Sequence, residues 1–326
     1  MKKTLFTLSA AVLLFSCKKN DANPVTDEDV ASLSAEGRQC AADDVLKKQI
    51  AEDPKRAQIL EDIETKTALY LEQPQSLKRT TKVFVPVVVH VVLQNTSQVT
   101  DAQIQSQIDV LNADFNKTNV ELTNSSVYLA GYPLSNVANC LIEYYVSSIV
   151  RKTTTVSSFG TNDAVKKSGS GGSDPVDPTT KLNMWVCDLS SGYLGYAQFP
   201  GGSASTDGVV IDYQAFGTFA SYPMYAQFNK GRTATHEVGH WFNLRHIWGD
   251  RRCGNDYVSD TPGHDASNGG CPAVNLKSNC SGKPLEQWMN YMDYTDDKCM
   301  YMFSSGQKDR MNAAIASSTR ANYVHY

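Results

Sequence analysis

The sequence predicts an α/β (α+β) fold in which helices pack against a mixed β-sheet. A near-continuous apolar run over residues 83–93 is typical of a strand that is buried on both faces. Further strand-like segments follow it, and helix-like segments lie between them rather than at one end of the chain. This order of strand, helix, several strands and helix is the pattern of an α/β layer.

The composition limits the class of protein before any motif is considered. The chain has 326 residues, of which 41% are hydrophobic and 20% are charged, as in an ordinary soluble globular protein. This length allows two domains. The net charge of -4 and the lack of a dense basic run argue against a nucleic-acid partner.

Residues 1–16 have the character of a signal peptide. Lysines at positions 2 and 3 precede an apolar run over residues 5–15, which is too short to span a membrane. The run ends in LFSC at residues 14–17, which resembles the lipobox of bacterial lipoproteins, so a lipid on Cys17 would be the protein's membrane anchor. An ordinary signal peptide cleaved nearby is the alternative. Both predict an exported protein, either an outer-membrane or cell-surface lipoprotein or a secreted one.

Residues 17–79 are polar and are interpreted as a tether followed by a charged helical segment. Apolar residues recur there at helical spacing on either side of Pro54: Val45, Leu46, Ile50, Ile59, Leu60 and Ile63. The segment is too polar to form a core of its own. It ends at the dibasic pair Lys78-Arg79, which suits proteolytic trimming.

Strands are predicted at residues 83–93, 141–149, 182–189 and 208–215. His90, within the first of them, is expected to be a core histidine and not a ligand. Residues 168–178 are predicted to be a loop. Residues 195–202 are broken by Pro200 and glycines, which favours an edge strand. An edge strand beside a cleft can pair with an extended peptide.

Helices are predicted from capping signals and apolar spacing. Thr100 and Gln103 form a capping box, and another begins near Ser304. Either Thr233 or Thr235 can cap the helix between these two. The helix that follows Thr100 has its inner face at Ile104, Ile108, Leu111 and Phe115. The helix that begins near Ser304 has its inner face at Met311, Ala314 and Ile315.

Residues 236–246, HEVGHWFNLRH, form the strongest motif in the chain. His236 and His240 are four residues apart and so share one face of a helix. Asn243 tolerates the left-handed conformation that would turn the chain and bring His246 to the same point. Three imidazoles with a fourth position open indicate a catalytic zinc site, and Glu237 beside them is the candidate general base. A polar helix face with unrelated histidines is the alternative.

The cysteines fall into separate groups. Cys40 stands alone, either as a partly buried free thiol or as a thiolate that occupies the fourth zinc position and keeps an enzyme latent. Cys140 and Cys187 lie in apolar strands, so buried thiols are favoured over a bridge between them. Four more lie in a Gly/Asn/Asp-rich stretch, where three pairings are open and spacing cannot choose: Cys253, Cys271, Cys280 and Cys299.

Over residues 80–318 the chain resembles the cytophagalysin/pappalysin family of metzincin zinc metallopeptidases. The resemblance is carried by residues 236–250, by DYVSDTP at 256–262 and by MNYMDYTDDKCMYMF at 289–303. The segments VPVVVHVV, QIQSQIDVLNADFN and GYAQFPGG also look like the family, and Cys40 resembles its propeptide cysteine. Asn243 stands where the family usually has glycine.

The resemblance implies a domain organisation. Residues 17–79 would be the tether and inhibitory propeptide, and residues 80–326 the catalytic domain. Residues 80–240 would form an upper subdomain, a twisted five-stranded mixed sheet with a backing helix and an active-site helix. Residues 241–326 would form a loop-rich lower subdomain stapled by Cys253–Cys280 and Cys271–Cys299.

The resemblance also assigns roles to single residues. Met292 would form the turn beneath the zinc, and the Tyr294 hydroxyl would stabilise the oxyanion. Structural Ca²⁺ would bind Asp256, the Ser259 carbonyl and Thr261, although a solvated acidic turn also fits this segment. In some family members an acid just before the last cysteine selects basic substrates, and Lys298 at that position would disfavour them.

These observations predict an exported, monomeric zinc endopeptidase that acts on protein or peptide substrates and is made as a zymogen held latent by Cys40. A catalytically silent zinc-binding surface lipoprotein that binds a partner is the alternative in another class. The intact Glu237 and Tyr294 argue against it. A zinc hydrolase of non-peptide amides is also compatible with the ligands, although the peptide-pairing edge strand weighs against it.

Overall fold

The computed structural model describes residues 37–123, 131–218, 220–316 and 320–326. The predicted signal peptide, Cys17 and the tether lie outside these ranges. Across the described ranges, no helix combines the length and the apolar character needed to cross a membrane.

Five helices and five strands form the framework of the described ranges. The helices are α1 (Ala42–Glu52), α2 (Lys55–Leu71), α3 (Asp101–Phe115), α4 (Arg232–Trp241) and α5 (Ser305–Ala316). The strands are β1 (Val83–Leu93), β2 (Ile142–Thr153), β3 (Leu182–Cys187), β4 (Gly195–Ala197) and β5 (Val209–Asp212).

The strands form one five-stranded sheet in the order β2-β1-β3-β5-β4. The first four strands are parallel, and β4 pairs antiparallel with β5 at the edge. The predicted mixed sheet and its edge strand are therefore confirmed. β4 ends at Ala197, before the predicted end at residue 202, because Pro200 lacks an amide donor and Gly201 has a φ of +82°.

Both faces of the sheet are covered, which explains the unbroken apolar run of β1. One face packs its valines against α3 and α4, including Ile108, Leu111 and Val238. The other face packs Val92 and Trp185 against surrounding loops. Every residue of β1 except Phe84 is buried. Burial of each such side chain contributes about 1.5–3 kcal/mol.

His90 is a core histidine, as predicted. Its ring stacks on Trp185 with 4.9 Å between centroids. Its two nitrogens lie 2.9 Å from the Ser173 hydroxyl and 2.8 Å from the Asn183 side-chain oxygen. The imidazole is therefore satisfied inside the sheet.

Two of the three predicted helix caps are confirmed. The Thr100 hydroxyl accepts from the amide of Gln103 at 3.2 Å. The Ser304 hydroxyl accepts from the amide of Gln307 at 3.1 Å, and the Gln307 side chain accepts from the amide of Ser304 in return. These reciprocal bonds satisfy amides that a helix N-terminus leaves free.

The predicted caps of α4 are wrong. Thr233 and Thr235 lie inside the helix, which begins at Arg232 after the left-handed Gly231. The carboxylate of Asp297 accepts from the amides of Lys230 and Arg232, at 2.8 and 3.2 Å. A residue from the C-terminal region therefore caps the helix, which local sequence cannot reveal.

The segment after α4 contains little regular structure before α5. Two disulfides, Cys253–Cys280 and Cys271–Cys299, hold it together with Cα–Cα distances of 5.6 and 5.7 Å. This is the pairing that the resemblance implies. Loop closure over 27 and 28 residues contributes about 3–4 kcal/mol for each bridge. Cys140 and Cys187 are buried free thiols.

The segment of residues 37–79 packs against the rest of the protein. α1 contacts β4, α2 contacts α5, and Leu46 and Leu60 join the main apolar cluster. The two helices are separated at Asp53 and Pro54, where the break was predicted. This packing explains how a polar segment can fold, because some of its apolar residues, including Leu46, Leu60 and Ile63, are buried against the rest of the protein, whereas Ile59 is 39% exposed. The domain boundary at residue 80 stays a prediction.

Candidate active site

The 236–246 motif begins in α4 and continues through a tight turn. His236, Glu237 and His240 project from the helix and are at most 1% exposed. α4 ends at Trp241, and Asn243 adopts the predicted left-handed conformation with a φ of +73°. The Leu244 amide then donates to the Gly239 carbonyl at 3.0 Å. This turn directs His246 back toward the two helical histidines.

The three imidazoles converge on one point. The Nε2 atoms of His236 and His240 are 3.1 Å apart, those of His240 and His246 are 3.1 Å apart, and those of His236 and His246 are 3.2 Å apart. Nitrogens bound to a tetrahedral zinc at about 2.0–2.1 Å lie roughly 3.3 Å from one another. The spacing therefore matches one shared ion.

Hydrogen bonds on the outer side of each ring set its tautomer. His236 Nδ1 donates to the Tyr291 carbonyl at 2.7 Å, and His240 Nδ1 donates to the Leu244 carbonyl at 2.8 Å. His246 Nδ1 bonds the carboxylate of Asp250. Since carbonyls only accept, the Nε2 lone pairs are left facing inward, where they repel unless a cation lies between them.

The donor set therefore fits zinc. Burial, and then the neighbouring imidazoles, hold the pKa of His236 well below its ordinary value. Burial lowers the pKa of His240 in the same way. Both rings are thus neutral, as metal binding requires. Sequence reasoning gave no role to Asp250, although a carboxylate that orients a metal-bound histidine is a general feature of such sites.

Glu237 faces the same point from the helix. Its Oε2 is 3.4 Å from the thiol of Cys40, and burial raises the pKa of Glu237 to about 8. Gly195 in β4 closes over it, because a Cβ on Gly195 would lie 2.8 Å from Glu237 Oε1. Gly195 is a site residue that the sequence did not reveal.

Tyr294 and Met292 come from the segment below the helix. The Tyr294 hydroxyl lies 3.2 Å from His246 Nε2 and donates to the Cys40 carbonyl at 3.2 Å. Met292 is fully buried, and its sulfur lies where a Cβ on Gly239 would reach. It therefore packs directly against the helix that carries the histidines.

Cys40 lies at the open side of the three histidines. Its Sγ and one nitrogen from each imidazole all lie within 4.8 Å of one another. The surrounding chain pairs with the edge of the sheet, because the Leu194 amide donates to the Gln39 carbonyl at 2.9 Å and the Ala41 amide donates to the Gly195 carbonyl at 3.0 Å. The segment thus occupies the edge that a peptide would use.

Arg38 fills a pocket beside the histidines. Its guanidinium donates to Thr233 Oγ1 at 2.9 Å, pairs with Asp297 at 2.5 Å and lies 5.0 Å from the centre of the Phe228 ring. Arg38 is 3% exposed, and Asp297 is fully buried. The expectation that Lys298 lines this pocket is wrong, because the Lys298 side chain is 66% exposed and lies 3.7 Å from Asp296.

The residues predicted to bind calcium are partly brought together. Asp256 accepts from Thr261 Oγ1 at 2.7 Å and from the Val258 amide at 3.1 Å. Burial raises the pKa of Asp256 to about 6. Ser259 lies on the exposed turn between them.

Comparison with known proteins agrees with this geometry. Residues 172–316 match the family described as "Pregnancy-associated plasma protein-A". The "Extracellular metalloprotease" of Verticillium alfalfae is 33% identical over 249 residues, 71% of this chain and 77% of that protein. That of Pyricularia oryzae is 32% identical over 241 residues, 70% and 73% of the two chains.

Solved structures show the same relationship. A mutant of Tannerella forsythia promirolysin is 35% identical, with a TM-score of 0.75, over 87% of this chain and 96% of the other. Mature mirolysin from the same organism, in complex with a cleaved peptide, is 38% identical, with a TM-score of 0.68, over 75% and 95% of the two chains. This chain therefore belongs to the pappalysin/cytophagalysin family of metzincins and is a zinc metalloendopeptidase whose substrates are proteins or peptides.

Proposed function

We propose that the protein is an exported zymogen in which Glu237 acts as general base and Cys40 holds the zinc site latent. The observation that carries this proposal is the convergence of four donors, Cys40 Sγ and three imidazole nitrogens, within 4.8 Å of one another. A monomer is part of the proposal and is supported by the fact that one chain supplies all four donors. Export through residues 1–16, with lipid attachment at Cys17, is part of the proposal, and the name "extracellular" of the relatives supports export.

The catalytic step follows from the positions of the side chains. A zinc ion held by the three histidines would lower the pKa of a water molecule and polarise the substrate carbonyl. Glu237 accepts a proton from the attacking water and passes it to the leaving amine. Its pKa of about 8 would be lowered toward neutral pH by a neighbouring cation.

Tyr294 and the sheet edge orient the substrate. In the zymogen the Tyr294 hydroxyl donates to the Cys40 carbonyl, which stands in for the carbonyl of a substrate. The same hydroxyl is thus placed to stabilise the oxyanion of the tetrahedral intermediate. The backbone of β4 pairs with a bound peptide as it pairs with Gln39 and Ala41.

Latency arises because the propeptide takes each of these positions. Its thiol blocks the open side of the histidines, its backbone occupies the β4 edge, and Arg38 fills the adjacent pocket. A substrate can bind after this segment leaves. We place the propeptide at residues 17–79 and the catalytic domain at residues 80–326.

Replacing Cys40 tests the latency. Cys40→Ala should give a full-length protein that cleaves peptides without proteolytic activation, at a low rate because the backbone still covers the cleft. Rates would be measured on intact protein, and the N-terminus verified by mass spectrometry. Cys187→Ala, at another buried free thiol, is the matched control and should stay latent. A fully latent Cys40→Ala zymogen would contradict the role of the thiol.

The pocket that Arg38 fills indicates which side chain of a substrate the enzyme recognises. A buried carboxylate at Asp297, with the aromatic ring of Phe228 beside it, is complementary to a guanidinium. We therefore propose cleavage next to arginine, the opposite of the preference inferred from Lys298.

The specificity can be measured with a peptide library. The processed enzyme should cut next to arginine, and Asp297→Asn should lower kcat/KM for arginine peptides by about 10-fold or more, since a charge-assisted bond is lost. Asp296→Asn, one residue away and paired with the exposed Lys298, is the control. A library profile without arginine, or an unaffected Asp297→Asn enzyme, would overturn this assignment.

A structural calcium site at Asp256, Ser259 and Thr261 is also proposed, supported by the oxygen-rich turn that Asp256 and Thr261 share. Saturating Ca²⁺ should raise the Tm of the zinc-loaded protein by about 3 °C or more, and Mg²⁺ should not. No response of the Tm to Ca²⁺ would remove the proposal.

A further inference from the structure

A cluster of arginines lies beyond the C-terminal end of α4, whereas Arg38 contacts Thr233 near the start of that helix. Arg245, next to the ligand His246, places its guanidinium 4.6 Å from the centre of the Phe199 ring. That ring lies 5.2 Å from the ring of His240. Arg245 is therefore separated from the His240 ring by the ring of Phe199 and does not serve as a ligand.

Arg310 extends the cluster from α5. Its side chain is 1% exposed, and its Nε donates to the Asn243 carbonyl at 2.7 Å. This contact fixes Arg310 to the turn between His240 and His246. The positive charges of Arg310 and Arg245 are thus attached to the rigid framework of the site.

The propeptide covers these arginines with acidic side chains. Glu64 of α2 pairs with Arg310 and accepts from the Asn243 side chain at 3.3 Å. Asp43 of α1 and Arg245 line the same cavity of about 270 Å³, together with Asp250. Asp250 is already bonded to His246. Of the acids near the cluster, Glu64 and Asp43 come from the propeptide, and Asp43 also pairs with Lys47 of its own helix.

Arg245 is incompletely satisfied even in the zymogen. Its Nε is buried and has no hydrogen-bond partner within the described ranges. When the propeptide leaves, Arg245 and Arg310 lose Glu64 and Asp43 at once, and Asp250 is the acid that remains in the cavity lined by Arg245.

The propeptide chain follows the substrate cleft from one pocket to the other. Arg38 lies with Asp297, Cys40 faces the histidines, and Arg56 donates to the carbonyls of Phe199 and Pro200 at 2.9 and 2.7 Å. Arg38 is opposite in charge to Asp297, and Asp43 and Glu64 are opposite in charge to the arginine cluster, whereas the cationic Arg56 is held by backbone carbonyls. A substrate that displaces the propeptide meets the same pairs of opposite charge at Asp297 and at the arginine cluster.

We propose that the processed enzyme selects an acidic side chain on the side of the scissile bond opposite the arginine, and that Arg245, supported by Arg310, makes this selection. The inference rests on the proposed peptidase function and adds a second specificity pocket to it. Its ligand is a carboxylate of the substrate. In the latent protein, the propeptide's Glu64 pairs with Arg310 and its Asp43 lines the same cavity as Arg245, so that these carboxylates take the place of the substrate carboxylate.

Paired quenched-fluorescence peptides test the inference. Each pair contains one arginine and differs by glutamate or glutamine at one position within the first four residues on the other side of the scissile bond. For one such position the wild-type enzyme, activated from the full-length zymogen, should cleave the glutamate peptide with a kcat/KM about 10-fold higher at low salt. The ratio should shrink as ionic strength rises.

Variants identify the residue responsible. Arg245→Gln should reduce the glutamate-to-glutamine ratio to within about twofold, and Arg245→Lys should retain part of it. Arg252→Gln, at an exposed arginine of the following loop, is the matched control and should keep the wild-type ratio. If Arg245→Gln does not fold, the wild-type ratio and the Arg245→Lys enzyme still decide the question.

The outcomes separate this inference from the proposed function. A wild-type enzyme that cuts both peptides of every pair equally, or an Arg245→Gln enzyme that keeps the preference for glutamate, overturns the inference and leaves the peptidase intact. An enzyme that cuts no peptide at all, even with zinc bound and the propeptide removed, overturns the proposed function itself.

Discussion

Single residues of the site are held by contacts that leave little freedom. Glu237 is 1% exposed, lies one residue after His236 and is covered by the backbone of Gly195. His246 is held by the carboxylate of Asp250 on one side and lies 3.2 Å from the Tyr294 hydroxyl on the other. Such positions are sensitive to changes of a single atom.

Glu237→Gln separates catalysis from metal binding. The variant should keep one zinc per chain and lose about 10³-fold in kcat, because glutamine cannot accept the proton from the attacking water. Metal content and peptide hydrolysis would be measured on the same preparation. Glu143→Gln, at a half-exposed glutamate in β2, is the control and should leave both unchanged. Near-normal turnover by Glu237→Gln would contradict the mechanism.

Gly195→Ala tests the close approach of β4 to the base. The added methyl would lie 2.8 Å from Glu237 Oε1 and 2.9 Å from the Val210 carbonyl, so Glu237 or the strand has to shift. We expect a loss of about 1–3 kcal/mol of stability and a fall in kcat.

The matched control for this change is Gly169→Ala, where a Cβ would meet no atom within 4 Å. Thermal unfolding and kcat would be compared for the two variants. Equal behaviour of the two would show that the contact between Gly195 and Glu237 is unimportant.

Residue-scale predictions from the sequence succeeded where the spacing itself carries the geometry. The pair His236 and His240 needs only the helical repeat, and the left-handed Asn243 needs only a side chain that tolerates that conformation. Asp250 and Gly195 were missed because their roles depend on contacts made in three dimensions. The error at Lys298 is a shift of one residue, since the turn at residues 297–299 directs Asp297 inward and Lys298 outward.

At the scale of elements, local signals identified strands and two helix caps but not the residue that caps the N-terminus of α4. The valines of β1 and the capping boxes at Thr100 and Ser304 act within a few residues and were predicted. The N-terminus of α4 is instead capped by Asp297, 65 residues away from Arg232. Long-range contacts of this kind leave no local pattern.

The stability of the C-terminal loops should fall at acid pH because of His264. Its Nε2 accepts from the Gln287 amide at 2.9 Å, and burial lowers its pKa to about 4. The unfolded chain has the ordinary value near 6.5 and binds the proton more readily. The contribution of neutral His264 to stability is therefore complete above pH 6.5 and is lost as the pH falls toward 4.

Chemical denaturation of the zymogen at pH 7.5, 5.5 and 4.5 measures this effect. Protonation of His264 should lower the free energy of unfolding by up to about 3 kcal/mol over this range. In His264→Gln, the free energy of unfolding should therefore depend less steeply on pH. His325→Gln, at an exposed histidine near the C-terminus, is the control. An unchanged slope in His264→Gln would contradict the prediction.

At the scale of the whole molecule, the propeptide is attached well beyond Cys40. Arg56 bonds the carbonyls that follow β4, and Lys78 lies 2.7 Å from Asp309 of α5. Arg79 bonds the carbonyls of Cys140 and Leu141 and the side chain of Asn312. Cleavage at the predicted dibasic pair therefore has to act on side chains that are docked on the catalytic domain.

This distribution of contacts explains how a polar segment without a core of its own can fold against the rest of the protein. The segment uses the sheet edge, α5 and the arginines near the cleft as its folding surface. From sequence, its helices and its solitary cysteine could be predicted, because they depend on spacing and composition. Its docking partners could not be predicted, since they lie far away in the chain, from 61 residues for Arg79 and Cys140 to 259 residues for Arg38 and Asp297.

Zinc K-edge X-ray absorption of the intact zymogen tests the central claim most directly. The account predicts one zinc per chain with three nitrogen ligands at about 2.0–2.1 Å and one sulfur at about 2.3 Å, from His236, His240, His246 and Cys40. In Cys40→Ala the sulfur shell should disappear while the three nitrogens remain. A wild-type spectrum with nitrogen and oxygen ligands alone would contradict the four-donor site.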